Sequence, residues 1–353
     1  MSGSFQPIRI KILSKSRPGD DARGWDARFP RGRHEWGNCR FVFDRNSRDY
    51  DWLVVYDDLP SVAGERHTLW TEELACSRAN TLLITSEPST IKVYGSRFLS
   101  QFGWVLTSQE QWVIGHPGTL RCQPGLVWYY AHTAPRGNYE TIAAHVPLNK
   151  TGDISAVCST KQQRHTLHRQ RYDFVMELKE RIPSMELFGR GIRYIEDKAD
   201  ALDPFRYHVA IENFFGPHHW TEKLADPFLG ACMPVYHGCP NAEDYFPEGS
   251  LLRIDINDLD GSAETIRRAI ADKLYEKNLP AILESRRLVL EKYGPVAQIA
   301  RIVEEKNNTT ATAPATGDVI MSRHGLRRKN LVNGISFAVE KGYVASRHKL
   351  GLG

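Results

Sequence analysis

The 353-residue chain has no run of 18 apolar residues, so no helix that spans a bilayer is expected. Its start, Met-Ser-Gly-Ser-Phe-Gln-Pro, lacks the apolar stretch of a secretory signal. No CxxC pair occurs, and the six cysteines (Cys39, Cys76, Cys122, Cys158, Cys232, Cys239) are scattered. That spacing reads as free, mostly structural thiols in a reduced cytoplasmic compartment. The charge of one sign is also small. Lys and Arg number 46 against 42 Asp and Glu, and a net +4 is too little to mark a nucleic-acid binder. GxxxxGK[ST], HExxH and GxSxG are all missing, which leaves out a P-loop, a zincin and a nucleophile elbow. With 41% hydrophobic and 25% charged residues and no internal repeat, the chain is neither fibrous nor wholly disordered.

What is present fits two globular domains, at roughly 100–200 residues each. Residues 1–150 alternate short apolar runs with polar, Gly- and Arg-rich connections. Ile8–Leu13, Phe41–Phe43, Trp52–Tyr56, Thr81–Thr85 and Trp104–Thr107 read as buried strands, and Gly64–Ala79 as a helix between them. Residues 151–305 form a second unit. It opens with a strand at Ile154–Ser159 and a helix at Lys161–Arg181. Tyr207–Ile211, Thr221–Ala231 and Pro234–His237 then follow as strand, helix and strand, about the size of one βαβ unit. Leu251–Ile256 is a further strand. Helices are expected at Ser262–Tyr275, Pro280–Lys292 and Pro295–Glu305. Residues 306–320 read as a linker and 321–353 as a basic tail. Strands alternating with helices predict an α/β fold in both domains.

The second βαβ unit concentrates the chemistry. Glu212 and Asn213 follow a strand directly, and open α/β sheets bind ligands at the carboxyl ends of their strands. Thr221-Glu222-Lys223 opens the next helix, whose free N–H groups and dipole favour a phosphate. Lys223 adds a mobile cation, and Glu222 can accept bonds from sugar hydroxyls. Gly238-Cys239-Pro240 turns the chain on the same edge. Taken singly, each piece is ordinary loop or capping chemistry; their order is what makes a nucleotide-diphosphate site.

The window from Phe205 to Ile256 resembles the donor-binding motif of the α1,3-fucosyltransferases, glycosyltransferase family 10, in a bacterial-type member. Glu212, Asn213, Thr221, Glu222, Lys223, Pro234, Val235, Gly238, Tyr245, Phe246, Pro247 and Ser250 stand in the family's order at near-family spacing. His219 stands where the family has Tyr, Trp220 where it has Ile or Val, and Arg206 where it has Lys. Pro227 lies inside the expected helix and predicts a break near Asp226.

The resemblance implies a fold of GT-B type, two facing Rossmann-like domains with the active site in the cleft between them. It implies inverting, metal-independent transfer from GDP-fucose or a related nucleotide-sugar to an oligosaccharide or lipopolysaccharide-type glycan. The GDP-sugar is a co-substrate, and no cofactor is expected. Glu222 would hold ribose or the donor sugar and Lys223 the diphosphate. Glu212, Asn213, His219, Thr221 and Gly238 would shape the pocket. Arg169 is the best match to the family arginine that neutralises the leaving phosphate, with Arg164 and Arg171 as competitors. The attacking hydroxyl needs a carboxylate base. The family supplies one from a strand end like Thr85-Ser86-Glu87, so Glu87 is the candidate, with Glu73, Asp57 and Asp58 as fallbacks. The same fold with another nucleotide-sugar, or a catalytically inactive glycan-binding relative, stays open.

Other signals carry less. Asp49-Tyr-Asp51 and Asp258-Leu-Asp260 have the Asp-x-Asp form of a metal–diphosphate site, although capping also accounts for the second. His165 with His168, and His218 with His219, lack a third ligand at a fitting spacing. Trp128, Tyr129 and Tyr130 would stack on an acceptor sugar or pack in the core. Between Met321 and Leu350 seven Lys and Arg face Glu340 alone, a net +6. Three readings stand for this tail: contact with the anionic inner face of a membrane, a solvated extension, or a return to the first domain.

Overall fold

A computed structural model describes residues 6–15, 22, 24–62, 64–133, 137–158, 168–307 and 317–352. The chain divides into two compact units, Met1–Pro124 with Val296–Gly353, and Gly125–Pro295. The first unit is therefore interrupted by the second, and the divisions fall away from the expected 150 and 305. Both units are α/β with a largely parallel sheet, the pair of Rossmann-like units expected of the GT-B class.

In the first unit the strands are β1 (Ile8–Ser14), β2 (Glu35–Trp36), β3 (Cys39–Val42), β4 (Trp52–Tyr56), β5 (Thr71–Glu73), β6 (Thr81–Ile84), β7 (Trp104–Thr107) and β8 (Thr119–Arg121). The main sheet runs β2-β3-β1-β4-β6-β7-β8, parallel except where β2 meets β3. Side chains alternate across a strand, so β4 sends Trp52 and Val54 to one core and Leu53 and Val55 to another. A short helix α1 (Ser96–Leu99) packs Phe98 and Leu99 into the second of these cores.

The second unit contains α2 (Tyr139–Ala144), β9 (Gly152–Val157), α3 (His168–Arg181), β10 (Glu186–Phe188), β11 (Phe205–Ile211), α4 (Glu222–Leu229), β12 (Met233–His237), β13 (Leu252–Arg253), α5 (Leu259–Ala271) and α6 (Leu274–Leu288). Its five strands are all parallel, in the order β10-β9-β11-β12-β13. The chain then returns to the first unit through α7 (Pro295–Lys306), β14 (Val319–Met321), α8 (Arg323–Lys329) and α9 (Leu331–Lys349). Val296, Ile299 and Val303 of α7 join the core of Trp52 and Val54.

Several expectations change. Gly64–Ala79 holds no α-helix, only the start of a 3-10 turn at Arg78–Asn80. Thr71–Glu73 is a strand, antiparallel to Val319–Met321, with Ile320 opposite Glu72. Glu72 points inward because the Lys11 ammonium reaches it at 2.7 Å, a partner 61 residues away. The end of the expected linker is thus strand, while 308–316 lie outside the described residues. The tail is two helices of the first unit, which corrects its reading as a solvated extension. Arg323 pairs with buried Asp58 at 3.0 Å, and Ile320 and Val344 are buried. Helix α4 does not break at Asp226 but runs through Pro227 to Leu229. A helical Pro costs about 3 kcal/mol. Leu224, Phe228 and Leu229 are fully buried, and each such side chain contributes about 1.5–3 kcal/mol, which outweighs it. Asp258 caps α5, which starts at Leu259 rather than Ser262, accepting from the Gly261 N–H at 2.9 Å.

Candidate functional site

The site grows from the carboxyl end of β11. Glu212, the next residue, is buried, and its carboxylate accepts from the Thr221 N–H at 2.8 Å and the Thr221 hydroxyl at 2.7 Å. Burial pushes its pKa up. Thr221 is also the N-cap of α4, its oxygen accepting from the Lys223 N–H at 3.3 Å. These bonds fix the start of α4 against the strand end. Gly238 closes the frame. A Cβ there would lie 2.4 Å from Glu212 Cγ and 2.6 Å from Tyr236 Oη. Glu212, Thr221 and Gly238 therefore frame the site and do not line the hollow.

The hollow has a volume of about 280 Å³ and is lined by Val157, Arg171, Lys198, His208, Ile211, Asn213, Glu222, Lys223 and Asp226. Val157 ends β9 and Ile211 ends β11. The strand order reverses between these two neighbours, which is the topological switch point where doubly wound sheets bind ligands. Arg171 donates to Asn213 Oδ1 at 3.0 Å. Its Nε is buried with no hydrogen-bond partner among the described residues. A bound anion would give this donor an acceptor. The Lys223 ammonium lies 2.8 Å from Glu222 and 3.9 Å from Glu212.

The carboxylates are controlled by these cations. Burial alone would raise the Glu222 pKa, but Lys223, Lys198 and hydrogen bonds hold it down at about 2. Burial pulls the Lys198 ammonium down, yet Asp226, 2.6 Å away, outweighs it and keeps it charged. His208 is driven down to about 3 by burial, then by Lys198, and stays neutral against the Ser155 hydroxyl at 2.8 Å. Asp226 also accepts the backbone N–H groups of Tyr129 and Tyr130.

Arg169 is not part of this arrangement. It is exposed and pairs with Asp173 at 3.6 Å. Two residues on a helix point about 200° apart, so Arg169 and Arg171 cannot share a face. The arginine beside Asn213 and Lys223 is Arg171; Arg164 and His165 lie outside the described residues. His219 is buried, 5.3 Å from the Phe214 ring and perpendicular to it, and burial followed by Lys223 lowers it to about 4. Lys198, His208 and Asp226 escaped sequence reasoning because no motif marks them. Only the fold gathers them.

In the first unit Glu87 follows β6 and is exposed. The fallback carboxylates are engaged by cations: Asp57 by Lys92 at 2.5 Å, Asp58 by Arg323, and Glu73 by Arg48 at 3.2 Å. Asp49 and Asp51 both hold Arg9, so that Asp-x-Asp is structural. Trp128 and Tyr130 pack in the second unit's core, whereas Tyr129 is half exposed. A second hollow of about 530 Å³ lies at the carboxyl ends of β12 and β13, with Phe215, His237, Pro240, Arg253 and Asp255 in its wall.

No model of a known protein family matches the chain. A stretch of 92 residues, 24% of the chain, is 27% identical to the α-(1,3)-fucosyltransferase FucT of Helicobacter pylori and spans 19% of that protein's length. Among solved structures, an α1,3-fucosyltransferase with GDP-fucose is similar over 83% of this chain and 93% of its own, at 14% identity and a TM-score of 0.49. An α1,3-fucosyltransferase with GDP is similar over 84% and 94%, at 14% identity and a TM-score of 0.46. TarM is similar over 75% and 52%, at 10% identity and a TM-score of 0.42.

Proposed function

We propose that the chain is an inverting glycosyltransferase of the family 10 type, transferring fucose or a related sugar from GDP to a hydroxyl of a glycan acceptor. The observation that carries this reading is the meeting of Arg171, Asn213 and Lys223 in one hollow at the switch point of the second sheet. The likeness to the H. pylori fucosyltransferase supports the choice of donor.

In this reading Lys223 and Arg171 take the diphosphate. Glu222, ionised at neutral pH, accepts from sugar or ribose hydroxyls. The acceptor oxygen bonds to C1 of the sugar as the C1–O bond to the β-phosphate breaks, and its electron pair leaves with GDP. The cations stabilise that developing charge without rearranging, which is where fixed charges act most strongly. The acceptor proton passes to a carboxylate base, for which Glu87 is the candidate. No step calls on a metal ion.

Incubation with GDP-fucose and a panel of soluble glycans tests the reading. GDP release that depends on acceptor, and that Lys223→Ala abolishes while folding is kept, is the expected result. Release of another nucleotide from its sugar, with none from GDP-fucose, would overturn the donor. Binding of GDP without turnover on any sugar would leave a glycan-binding relative and overturn the enzyme.

A further inference from the structure

Three neighbouring parallel strands of the first unit each place a polar side chain just beyond their carboxyl ends, the edge where α/β sheets hold functional groups. Asp57 follows β4, Ser86 and Glu87 follow β6, and Gln109 follows β7. Glu87 is exposed, but the chain around it is clamped by buried groups. The Ser86 N–H donates to Tyr94 Oη at 3.0 Å, and the Ser86 hydroxyl donates to Asp57 Oδ1 at 2.9 Å. Tyr94, itself buried, donates its hydroxyl to the same Asp57 oxygen at 2.6 Å. Gln109, also buried, donates from Nε2 to the Glu87 carbonyl at 2.7 Å. Lys92 holds the other Asp57 oxygen at 2.5 Å. Burial alone would raise the Asp57 pKa, but Lys92 and the Tyr94 and Ser86 hydroxyls hold it below its ordinary value. Asp57 also stands at φ +72°, a left-handed conformation that strains a residue with a side chain and persists only where the surroundings over-determine it.

We propose that Asp57, acting through Tyr94 and Ser86, is a positioning residue that aims the carboxylate of Glu87 at the acceptor hydroxyl. An exposed carboxylate on a mobile loop has to find the reacting oxygen in every cycle. One carried on a fixed peptide is already placed, and an error of about 1 Å in such placement costs about a hundredfold in rate. An ordinary solvated loop needs none of the buried partners that hold residues 86 and 87. Asp57 serves as frame and not as base, because one of its oxygens takes two hydroxyls and the other takes Lys92. The inference rests on the reading of Glu87 as the base.

Steady-state transfer from GDP-fucose to a glycan of the panel that supports it tests this. Tyr94→Phe and Asp57→Gly, the second suited to the left-handed backbone, should each lower kcat about 10- to 100-fold. KM for GDP-fucose should stay unchanged, since the residues proposed to hold the donor lie in the second unit. Ser86→Ala, at a half-buried position with Asp57 intact, should lower kcat severalfold, and it carries the test where the other two shift the thermal midpoint. Asp57→Asn, which keeps an oxygen for both hydroxyls, should retain most of the rate. In the Glu87→Ala background Tyr94→Phe should cost nothing further, the coupling expected of residues that act as one. A loss in Glu87→Ala with full kcat in Tyr94→Phe and Ser86→Ala would overturn the positioning role alone. So would equal losses with and without Glu87. A rate abolished by Asp57→Asn would make Asp57 itself the base and overturn the role as well. Full activity in Glu87→Ala, or no transfer by the wild type, would instead defeat the reading beneath the proposal, and the proposal with it.

Discussion

Arg171 brings a buried Nε, with no acceptor among the described residues, to the same hollow as Lys223, and a bound diphosphate would supply one. A hydrogen bond to a charged group contributes about 1.5–3 kcal/mol, so Arg171→Ala and Lys223→Ala should each weaken GDP binding roughly 10- to 100-fold. Arg169→Ala, on the exposed side of α3, should leave it unchanged. Calorimetric titration of the three variants separates them, and equal losses at Arg169 and Arg171 would refute the assignment. Gly238→Ala tests the frame behind the hollow. Its Cβ would force Glu212 and Tyr236 apart, at a cost of about 1–3 kcal/mol, read in urea denaturation. At this scale the sequence was informative where a residue acts beside its neighbours in the chain. Thr221, Glu222 and Lys223 stand at a helix start as their spacing indicates. Arg169 was preferred to Arg171 because no local pattern fixes which face of α3 meets β11.

Elements that pair with near neighbours were legible, and those whose partners lie far along the chain were not. Trp52–Tyr56 and Thr81–Ile84 are dense in β-branched and aliphatic residues and are strands, as read. Thr71–Glu73 reads as a helix until its partner is known, since Glu72 can face inward only with Lys11 and opposite Ile320. The same partnership makes β14, α8 and α9 structural. Truncation after Gly317 removes buried Ile320, the Arg78–Asp318 pair and the Arg323–Asp58 pair. It should lower the melting midpoint of the first unit by several degrees or prevent its folding, since a loss of even 1 kcal/mol shifts a domain by about 2–8 °C. An unchanged midpoint by circular dichroism would mean that the tail packs more weakly than its contacts imply.

For the whole molecule, the α/β class and the pair of units followed from alternating apolar runs, but the interruption of the first unit did not. Val296, Ile299 and Val303 mark α7 as buried without naming the sheet that buries them. Stability against acid is a property of the whole chain as well. His208 and His219 have folded pKa values near 3 and 4, below their ordinary 6.5, so the unfolded chain binds more protons. Their contribution is complete above pH 6.5 and is lost as pH falls through those values. Glu222, held at about 2 against an ordinary 4.5, adds a loss that begins near pH 4.5. These three groups act to lower the melting midpoint from pH 6.5 downward and more steeply below 4.5, while the buried carboxyls of Glu212 and Asp226, both raised by burial, act against them; a midpoint that rises steadily down to pH 4 would contradict this.

The central claim is that the switch-point hollow of the second unit binds GDP through Lys223 and Arg171. Thermal unfolding with GDP at a hundredfold excess over Kd should show about 2.7 kcal/mol of added stability in the wild type. In the Arg171→Ala/Lys223→Ala double variant that gain should vanish. No GDP-dependent shift in the wild type, or the same shift in the double variant, would contradict the account.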